Sequence, residues 1–385
     1  MERDIIMFNI QVTELKEGMK IASNVYDSDD NIIIDMGSIV TKSTIELLKK
    51  NSIEKVSVVD LIENKYQNNF DNSIKNQLNK RVIIEENGRE ILKIDSEKAL
   101  DINNITIEKT KNAYNVAKNN GTVNFIELKK DVDIMLNSIL ENREAHSYLA
   151  ILKRKDESIY KHAVDVAALS AITAIGMNLT KADISNIMLG ALLHDIGKVL
   201  VQEYLLNKKN LTKDEINILK RHTTHGYKLA KRDNLEDNIA DIILEHHEKY
   251  DGSGYPFGKE NKDIGLYSKV VSISNKFNNL IINGNDGLIC TADKAMKIII
   301  SLSKKDFDMD IVKHFQKAIG FYPNNTKVKL SNGQTARVIQ QNTNLPLRPI
   351  LSIEKNEDGS DANYLDILDL SKSNNVFIRE VMHYM

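Results

Sequence analysis

The chain has 385 residues, of which 42% are hydrophobic and 28% are charged, as is usual for a globular protein of two or three domains. Its 52 Lys and Arg residues nearly balance 54 Asp and Glu residues, so the formal net charge is −2 and no global positive field attracts nucleic acid or an anionic membrane. The single cysteine, Cys290, excludes an internal disulfide. No stretch reaches the roughly 18 apolar residues of a membrane span, and the first residues lack the apolar region of a signal peptide. We therefore expect a cytoplasmic protein with no DNA, RNA or membrane partner.

Residues 1–62 are predicted to form a small α+β module. Two short apolar runs, GMKIASNVY and NIIID, flank the turn-forming DSDD and indicate strands. The sequence TKSTIELLKKNSI is typical of a helix, and EKVSVVD is typical of a further strand. Residues 63–144 are interpreted as a linker and helical region. It is polar and weakly patterned to about residue 104, then helical from 105 to 144 with a break at Asn119-Asn120-Gly121.

Residues 145–320 are predicted to form the central helical domain. Thr180 with Asp183, and Thr212 with Glu215, have the spacing of capping boxes, so two helices begin there. Apolar residues at helical spacing over 184–192 lead into HDIGK. Residues 321–385 predict a β-rich C-terminal extension, with TKVKL and QTARVIQQ as a hairpin around SNG and a strand in NYLDILDL. The expected fold class is mainly α, a central all-α bundle between the small α+β module and the β-rich tail.

Six of the nine histidines lie in this helical domain, at positions 162, 194, 222, 225, 246 and 247. A single histidine on an apolar face is more often a hydrogen-bonded core residue than a metal ligand. His162 and His246, however, both fall on the apolar faces of their helices, and His194 with Asp195 ends an apolar helix. Burying so many imidazoles without partners would be costly, so the cluster favours a shared metal centre.

The ligand types indicate which metals and which chemistry fit such a centre. Imidazole and carboxylate together suit divalent iron, manganese or zinc better than calcium or magnesium. An aspartate among histidines can bridge two metals, an arrangement used to hydrolyse phosphate esters. Lys198, four residues past His194, would lie close enough to neutralise a phosphate oxygen. The alternative is that Lys198 is only a solvated charge at a helix C-terminus.

Two motifs carry a resemblance to a known family. HDIGK at 194–198 together with HHEKYDGSGYP at 246–256 resembles the HD-GYP family of metal-dependent phosphodiesterases. DESIY precedes His162 at the position of that family's first metal histidine, and KRHTTHG places His222 four residues before a glycine, as in the family. The likeness covers roughly residues 107–320. The flanking segments LKEGMKIASNVYDSDDNII and VKLSNGQTARVI with PLRPIL are also similar to companions of this family.

The resemblance implies an all-α HD bundle that holds two or three divalent metal ions, usually iron or manganese. It implies hydrolysis of cyclic di-GMP to linear pGpG, or onward to GMP, by a metal-activated hydroxide. Asp195 and Lys198 are then the catalytic residues, Lys198 contacts phosphate, and the substrate groove includes Gly252, Gly254 and Tyr255. A second copy of the chain or a signalling protein is the expected protein partner. The metal ligands on matching positions are His162, His194, Asp195, His222, His246, His247 and, at the family's last aspartate, Asn275.

The GYP segment predicts a shaped loop beside this centre. Glu248 is expected to orient an imidazole from behind. Gly252 and Gly254 would let the backbone approach a bulky dinucleotide, and Pro256 would stiffen the loop that holds Tyr255. The alternative for Tyr255 is simple packing.

The chain departs from the family in the last motif. ISNKFNNLIINGNDG, residues 273–287, stands where the family has VAD.FDA followed by RPY. The metal-binding aspartate becomes Asn275, the following Asp-Ala pair becomes Asn278-Asn279, and the RPY residues that help hold substrate have no counterpart. Ser158 replaces the carboxylate found in trinuclear members, which favours two metals.

Two interpretations remain open. The chain is either a working phosphodiesterase with a weakened metal site, or a cyclic di-GMP sensor or protein-docking module that no longer turns over. A third interpretation, an HD hydrolase acting on other nucleotides, is disfavoured by the GYP segment.

Overall fold

The chain divides into two compact units, Met1–Lys80 and Arg81–Met385, in a computed structural model. The structure describes residues 7–59 with short gaps, 83–86, 89–92, 96–151, 158–206, 208, 210–284, 290–342, 345–362, 366–373 and 375–382. Each unit is described by itself below.

The first unit is a small α+β module. Its elements are β1 (Met7–Gln11), β2 (Lys20–Ile21), β3 (Val25–Tyr26), β4 (Ile32–Ile34), α1 (Lys42–Lys50) and β5 (Lys55–Val59). Strands β1, β5 and β2 form an antiparallel sheet in that order, and β3 pairs with β4. Thr41 and Thr44 cap α1 reciprocally, which fixes where this helix begins. The predicted strands and helix are confirmed; of the predicted DSDD turn, only Asp27 lies within the described residues.

The second unit is mainly helical and begins with a hairpin of β6 (Ile83–Glu86) and β7 (Arg89–Leu92). Its α-helices are α2 (Ser96–Asn120), α3 (Phe125–Glu141), α4 (Arg143–Ile151), α5 (Ile159–Gly176), α6 (Lys181–Leu193), α7 (Glu203–Leu206), α8 (Lys213–Lys220), α9 (His222–Arg232), α10 (Asp237–Glu245), α11 (Leu266–Asn283), α12 (Ala292–Ser301) and α13 (Met309–Ile319). A 3₁₀ turn follows α6 at Ile196–Leu200.

Helix α5 lies at the centre of the bundle, because its residues from Lys161 to Ala174 are all buried. Its small side chains in AVDVAALSAITA allow the neighbouring helices to approach closely. Capping boxes at Thr180 and Thr212 start α6 and α8, as predicted. The hydroxyl of Ser158, at the position expected for a third-metal carboxylate, instead caps α5 by accepting the N–H of Lys161 (3.2 Å).

Helix α2 begins at Ser96, earlier than the predicted start at residue 105. Of the residues 96–104 that the prediction leaves out, Asn103 is a buried polar residue, which an apolar pattern does not reveal. Further along, the hydroxyls of the buried Thr106 and Thr110 donate to carbonyls four residues back in the same helix (2.8 Å each). The predicted break at Asn119–Gly121 is confirmed.

The C-terminal residues form a five-stranded antiparallel sheet. Its strands are β8 (Lys327–Leu330), β9 (Thr335–Gln340), β10 (Ile350–Lys355), β11 (Ile367–Asp369) and β12 (Ile378–Val381). The order is β11-β10-β9-β8-β12, and the predicted hairpin around Asn332-Gly333 joins β8 to β9. Part of the predicted strand NYLDILDL lies outside the described residues; the described part contains β11. Val328, Val338 and Leu351 belong to the same hydrophobic core as the helical bundle.

The predicted fold class, mainly α with small β elements on both sides, is confirmed. The finer domain boundaries at 62, 144 and 320 stay predictions. Among the described residues, no helix has the length and apolarity that crossing a membrane requires.

Candidate metal centre

The predicted ligands come from five places in the helical unit. His162 lies on α5, Asn275 lies on α11, and His222 is the first residue of α9. His194 and Asp195 lie between α6 and the 3₁₀ turn, and His246 and His247 directly follow α10. Most of these side chains therefore start at helix ends and point to one place beside the buried helix α5. Their side chains are buried apart from that of His247, which is partly exposed.

Backbone carbonyls fix the ring orientation of three histidines. His194 donates its Nδ1–H to the carbonyl of Ala191 (2.6 Å), and His222 donates its Nδ1–H to that of Leu219 (2.6 Å). The Nδ1–H of His246 is donated to the carbonyl three residues back (3.0 Å). A carbonyl oxygen only accepts, so a proton sits on each Nδ1, and in the neutral ring the lone pair is on Nε2. The helix ends thus orient three imidazoles with Nε2 directed at the centre.

These lone pairs converge on Asp195. Its Oδ1 lies 3.3 Å from His222 Nε2, and its Oδ2 lies 3.2 Å from His194 Nε2. The Nε2 atoms of His222 and His246 lie 3.3 Å apart. Acceptors that face acceptors at these distances repel each other unless a cation lies among them. Within the described residues, the buried atoms His194 Nε2 and Asp195 Oδ1 also have no hydrogen-bond partner.

The ligand atoms fall into two groups that share one residue. One group contains Asp195, His222, His246 and His247, and the other contains His162, His194 and Asp195; within each, the ligand atoms lie within 4.8 Å of one another. Asn275 Oδ1 lies 3.1 Å from His162 Nε2, beside the second group. Donors of this kind, with a carboxylate between them, fit two divalent ions. His225 belongs to neither group.

Burial keeps the histidines in the form that binds metal. It lowers the pKa of His162 to about 4, and it lowers the pKa of His246 and His247 well below the usual range, with neighbouring imidazoles adding to the effect. Burial alone would raise the pKa of Asp195. The Lys198 ammonium and the surrounding histidines outweigh it, so the pKa of Asp195 is well below its usual range. Near neutral pH His162, His246 and His247 are therefore neutral imidazoles around a carboxylate.

Lys198 is the cation nearest to this carboxylate among the described side chains. Its Nζ donates to Asp195 Oδ2 at 2.7 Å, and its side chain is 28% exposed against 3% for Asp195. Lys198 thus reaches from the protein surface into the centre. That placement agrees with the expected contact to a phosphate and differs from a solvated helix-terminal charge.

The GYP loop covers one side of the centre. The Tyr255 ring stacks on His247, with centroids 4.6 Å apart and planes inclined by 23°, and its N–H donates to the His247 carbonyl (3.2 Å). Burial raises the pKa of the Tyr255 phenol. Lys220 Nζ lies 5.0 Å from the Tyr255 ring centroid, which adds an exposed cation at the rim.

The loop's glycines have a local packing role, and Glu248 acts differently from what the sequence predicts. A Cβ atom on Gly254 would lie 2.5 Å from Glu248 Cα, so this glycine lets the loop pack against its own preceding turn. Gly252 has φ +76°, where glycine is favoured. Glu248 does not orient an imidazole; its carboxylate accepts the backbone N–H groups of Phe257 (2.7 Å) and Lys259 (3.0 Å). The prediction for Glu248 is wrong because the chain turns there and points this side chain into the loop.

Sequence reasoning also missed two residues that support the ligands. The fully buried Tyr114 on α2 donates its hydroxyl to the carbonyl of Leu192 (3.1 Å), just before the His-Asp pair. Asn278 accepts the Nδ1–H of His162 (2.7 Å). No pattern marks Tyr114, which looks like an ordinary core residue of its helix. In the sequence, Asn278 stands out only as a departure from the family motif.

Comparisons with known proteins agree with this geometry. Residues 147–311 match the HD domain family, and residues 327–384 match a KOW domain associated with HD domain. A cyclic di-GMP phosphodiesterase of Pseudomonas aeruginosa is 30% identical over 224 residues, 58% of this chain and 54% of that protein. One from Thermotoga maritima is 32% identical over 166 residues, 42% of this chain and 45% of that protein. The chain thus spans about half the length of the curated relatives it matches.

A solved structure supports the fold. Bd1817, a HDG"Y"P protein from Bdellovibrio bacteriovorus, is similar with a TM-score of 0.50 and 22% identity, covering 80% of this chain and 98% of that one. The helical fold and the shared His-Asp centre define an HD-domain protein. Beyond that domain, the chain is similar to curated cyclic di-GMP phosphodiesterases.

Proposed function

We propose that this chain is a metal-dependent phosphodiesterase of cyclic dinucleotides, with cyclic di-GMP as its substrate and linear pGpG as its first product. The observation that carries the proposal is the shared carboxylate of Asp195, which lies between two groups of imidazoles, 3.2 Å from His194 Nε2 and 3.3 Å from His222 Nε2. The names of the similar proteins supply the substrate class.

The proposed metal ligands are those of the two groups together with Asn275. Nitrogen and carboxylate donors support iron or manganese as the ions. When bound, two such ions supply an activated water and draw off charge that builds on the phosphoryl oxygens.

The chain's own residues would bind and orient the substrate. Lys198 reaches the centre from the surface and would neutralise a phosphate oxygen, while Asp195 holds the two groups together. Tyr255, held flat against His247, would form one wall of the groove, with the backbone at Gly252 and Gly254 next to it. Asp195 and Lys198 are therefore the proposed catalytic residues.

Asn275 should make one of the two sites weaker. An amide oxygen carries less negative charge than a carboxylate, so the ion beside His162 and His194 should bind less tightly than the other. The surroundings of Asn275 would nevertheless accept a carboxylate, because Asn279 Nδ2 already donates to its Oδ1 (2.6 Å). Asn275→Asp should therefore strengthen this site without steric change.

The test is a metal titration with two proteins. The wild type and Asn275→Asp are purified anaerobically, their metal content is measured, and pGpG formation from cyclic di-GMP is followed at increasing manganese or iron. Wild-type turnover should be low and rise with added metal, and Asn275→Asp should reach its maximum at lower metal. Asn283→Asp, an exposed change on the same helix, is the control. If the wild type binds cyclic di-GMP but forms no product at saturating metal, the chain is a sensor and the enzyme proposal is wrong.

A further inference from the structure

Asn278 lies at a junction of three helices behind the metal centre. It lies on α11, it is fully buried, and it contacts both α5 and α4. Its Oδ1 accepts the Nδ1–H of His162 (2.7 Å), and its Nδ2 donates to the carbonyl of Ala150 (3.1 Å). Both the oxygen and the nitrogen of the amide are therefore hydrogen-bonded.

The Ala150 carbonyl decides which way this amide points. Ala150 is in the last turn of α4, where a carbonyl has no partner within its own helix. If the amide were reversed, its oxygen would face this buried carbonyl oxygen with no proton between them. A buried acceptor without a donor costs about 1 to 3 kcal/mol. The Nδ2 group must therefore face Ala150, and the oxygen must face His162.

This orientation sets the state of His162. Both ring nitrogens of His162 face an amide oxygen, Nδ1 that of Asn278 at 2.7 Å and Nε2 that of Asn275 at 3.1 Å. The shorter contact favours the proton of the neutral ring on Nδ1, which leaves the Nε2 lone pair directed towards Asn275. His162 differs here from His194, His222 and His246, whose Nδ1–H groups go to carbonyls three residues back, at the end of the helix that precedes each of them. His162 lies within its helix and needs a partner from elsewhere.

We infer that Asn278 is the positioning residue of His162, and that the Ala150 carbonyl requires an amide at this position. The inference rests on the proposed metal centre only in treating His162 as a ligand. The family resemblance places an aspartate here. A carboxylate would still accept from His162, but its second oxygen would face the Ala150 carbonyl without a hydrogen.

The two asparagines that replace family aspartates should therefore respond in opposite ways. At position 275 a neighbouring amide already donates to the oxygen, so a carboxylate is accepted. At position 278 the neighbour is a carbonyl, so a carboxylate is repelled. Restoring the family residue should strengthen metal binding at the first position and weaken it at the second.

The first measurement uses the metal-free, full-length wild type labelled with ¹⁵N-histidine. The His162 signal is assigned by its disappearance in His162→Gln. We expect the tautomer with the proton on Nδ1 and an unprotonated Nε2. A wild-type His162 with its proton on Nε2 would overturn the inference, whatever the variants do.

The second measurement compares manganese affinity in Asn278→Asp, Asn278→Ala and the control Asn283→Asp. Loss of a partner behind a ligand typically lowers metal affinity 10- to 100-fold, and we expect this for the weaker ion in both Asn278 variants. We expect no change in the control. Asn278→Asp should also unfold at lower urea. If it binds manganese as tightly as the wild type and is equally stable, the requirement for an amide is refuted.

Neither measurement needs substrate, so a failure to hydrolyse cyclic di-GMP leaves both results interpretable. If Asn278→Asp does not fold, Asn278→Ala and the wild-type tautomer still decide the role of the residue. If the wild type binds no manganese, the proposed metal centre is wrong, and the tautomer alone decides whether Asn278 orients His162.

Discussion

Gly197 lies where two backbones meet beneath the metal centre, and replacing it should disturb one ligand in particular. A Cβ atom at this position would lie 1.9 Å from the His222 carbonyl oxygen and 2.6 Å from Gly226 N. Both neighbours are backbone atoms, so no side-chain rotation can relieve the contact. Non-bonded carbon atoms need roughly 3.5 Å, so the 3₁₀ turn and α9 would have to separate by more than about 1 Å.

The expected cost has two parts. Overpacking of a close-packed core typically costs about 1 to 3 kcal/mol, and a backbone-to-backbone contact should lie at or above the upper end. A displacement of about 1 Å at a site can also lower its activity about 100-fold. Because the atom in closest contact belongs to His222, the ion held with His246 and His247 should be lost before the ion held with His162 and His194.

The assay measures urea unfolding and manganese stoichiometry for Gly197→Ala. Gly176→Ala is the matched control, because its nearest neighbour would be the Ala318 Cβ at 3.4 Å, an ordinary contact. The control should keep its metal and lose no stability, since alanine favours a helix more than glycine does. A Gly197→Ala protein with wild-type stability and two bound ions would show that the two backbones do not meet as described.

Three further predictions concern charge, pH and the C-terminal sheet. Lys198→Met should lower turnover about 100-fold, because the contact to a phosphate oxygen is lost. The metal content should be kept, because Asp195 remains free to bind the ions. Unchanged turnover in a steady-state assay would mean that Lys198 has only a structural role. Burial lowers the pKa of His146 to about 4, against about 6.5 in the unfolded chain, so protonation of this ring favours the unfolded chain. The contribution of the neutral ring to the free energy of unfolding is complete above pH 6.5, and about 3 kcal/mol of it is lost as the pH falls to 4. In chemical unfolding, His146→Gln should lose less of its free energy of unfolding over that pH range than the wild type. If the free energy of unfolding falls equally with pH in the two proteins, His146 is not the titrating group. A fragment of residues 105–320 should retain the ligands but melt below the full chain, because Val328, Val338 and Leu351 are missing from its core; an unchanged melting temperature would show that the sheet is dispensable.

Local chemistry made several features predictable from the sequence. The starts of α6 and α8 follow from Thr180 and Thr212, because a capping box involves only residues three apart. The hairpin at Asn332-Gly333 follows from its turn residues for the same reason. The geometry also brings together the histidines of the two motifs, although their role as metal ligands stays a prediction.

Other features depend on contacts between distant segments and could not be predicted. Glu248 looks like a partner for the adjacent imidazoles, yet it bonds to backbone groups nine and eleven residues later. Tyr114 reaches Leu192 across 78 residues of sequence, so no local pattern reveals the contact. The role of Asn278 depends on a carbonyl at the end of α4, and its residue type alone points only to a lost charge.

The carboxylate of Asp195 faces the two imidazole groups with different oxygen atoms, and this has a thermodynamic consequence for loading. An ion bound at one oxygen would change the charge left on the other, so the two binding free energies would be linked. Such linkage is reciprocal, and each ion alters the affinity for its partner by the same factor. Occupancy should therefore deviate from the sum of two independent hyperbolic curves. An affinity measured in protein that already carries one ion describes the second step alone.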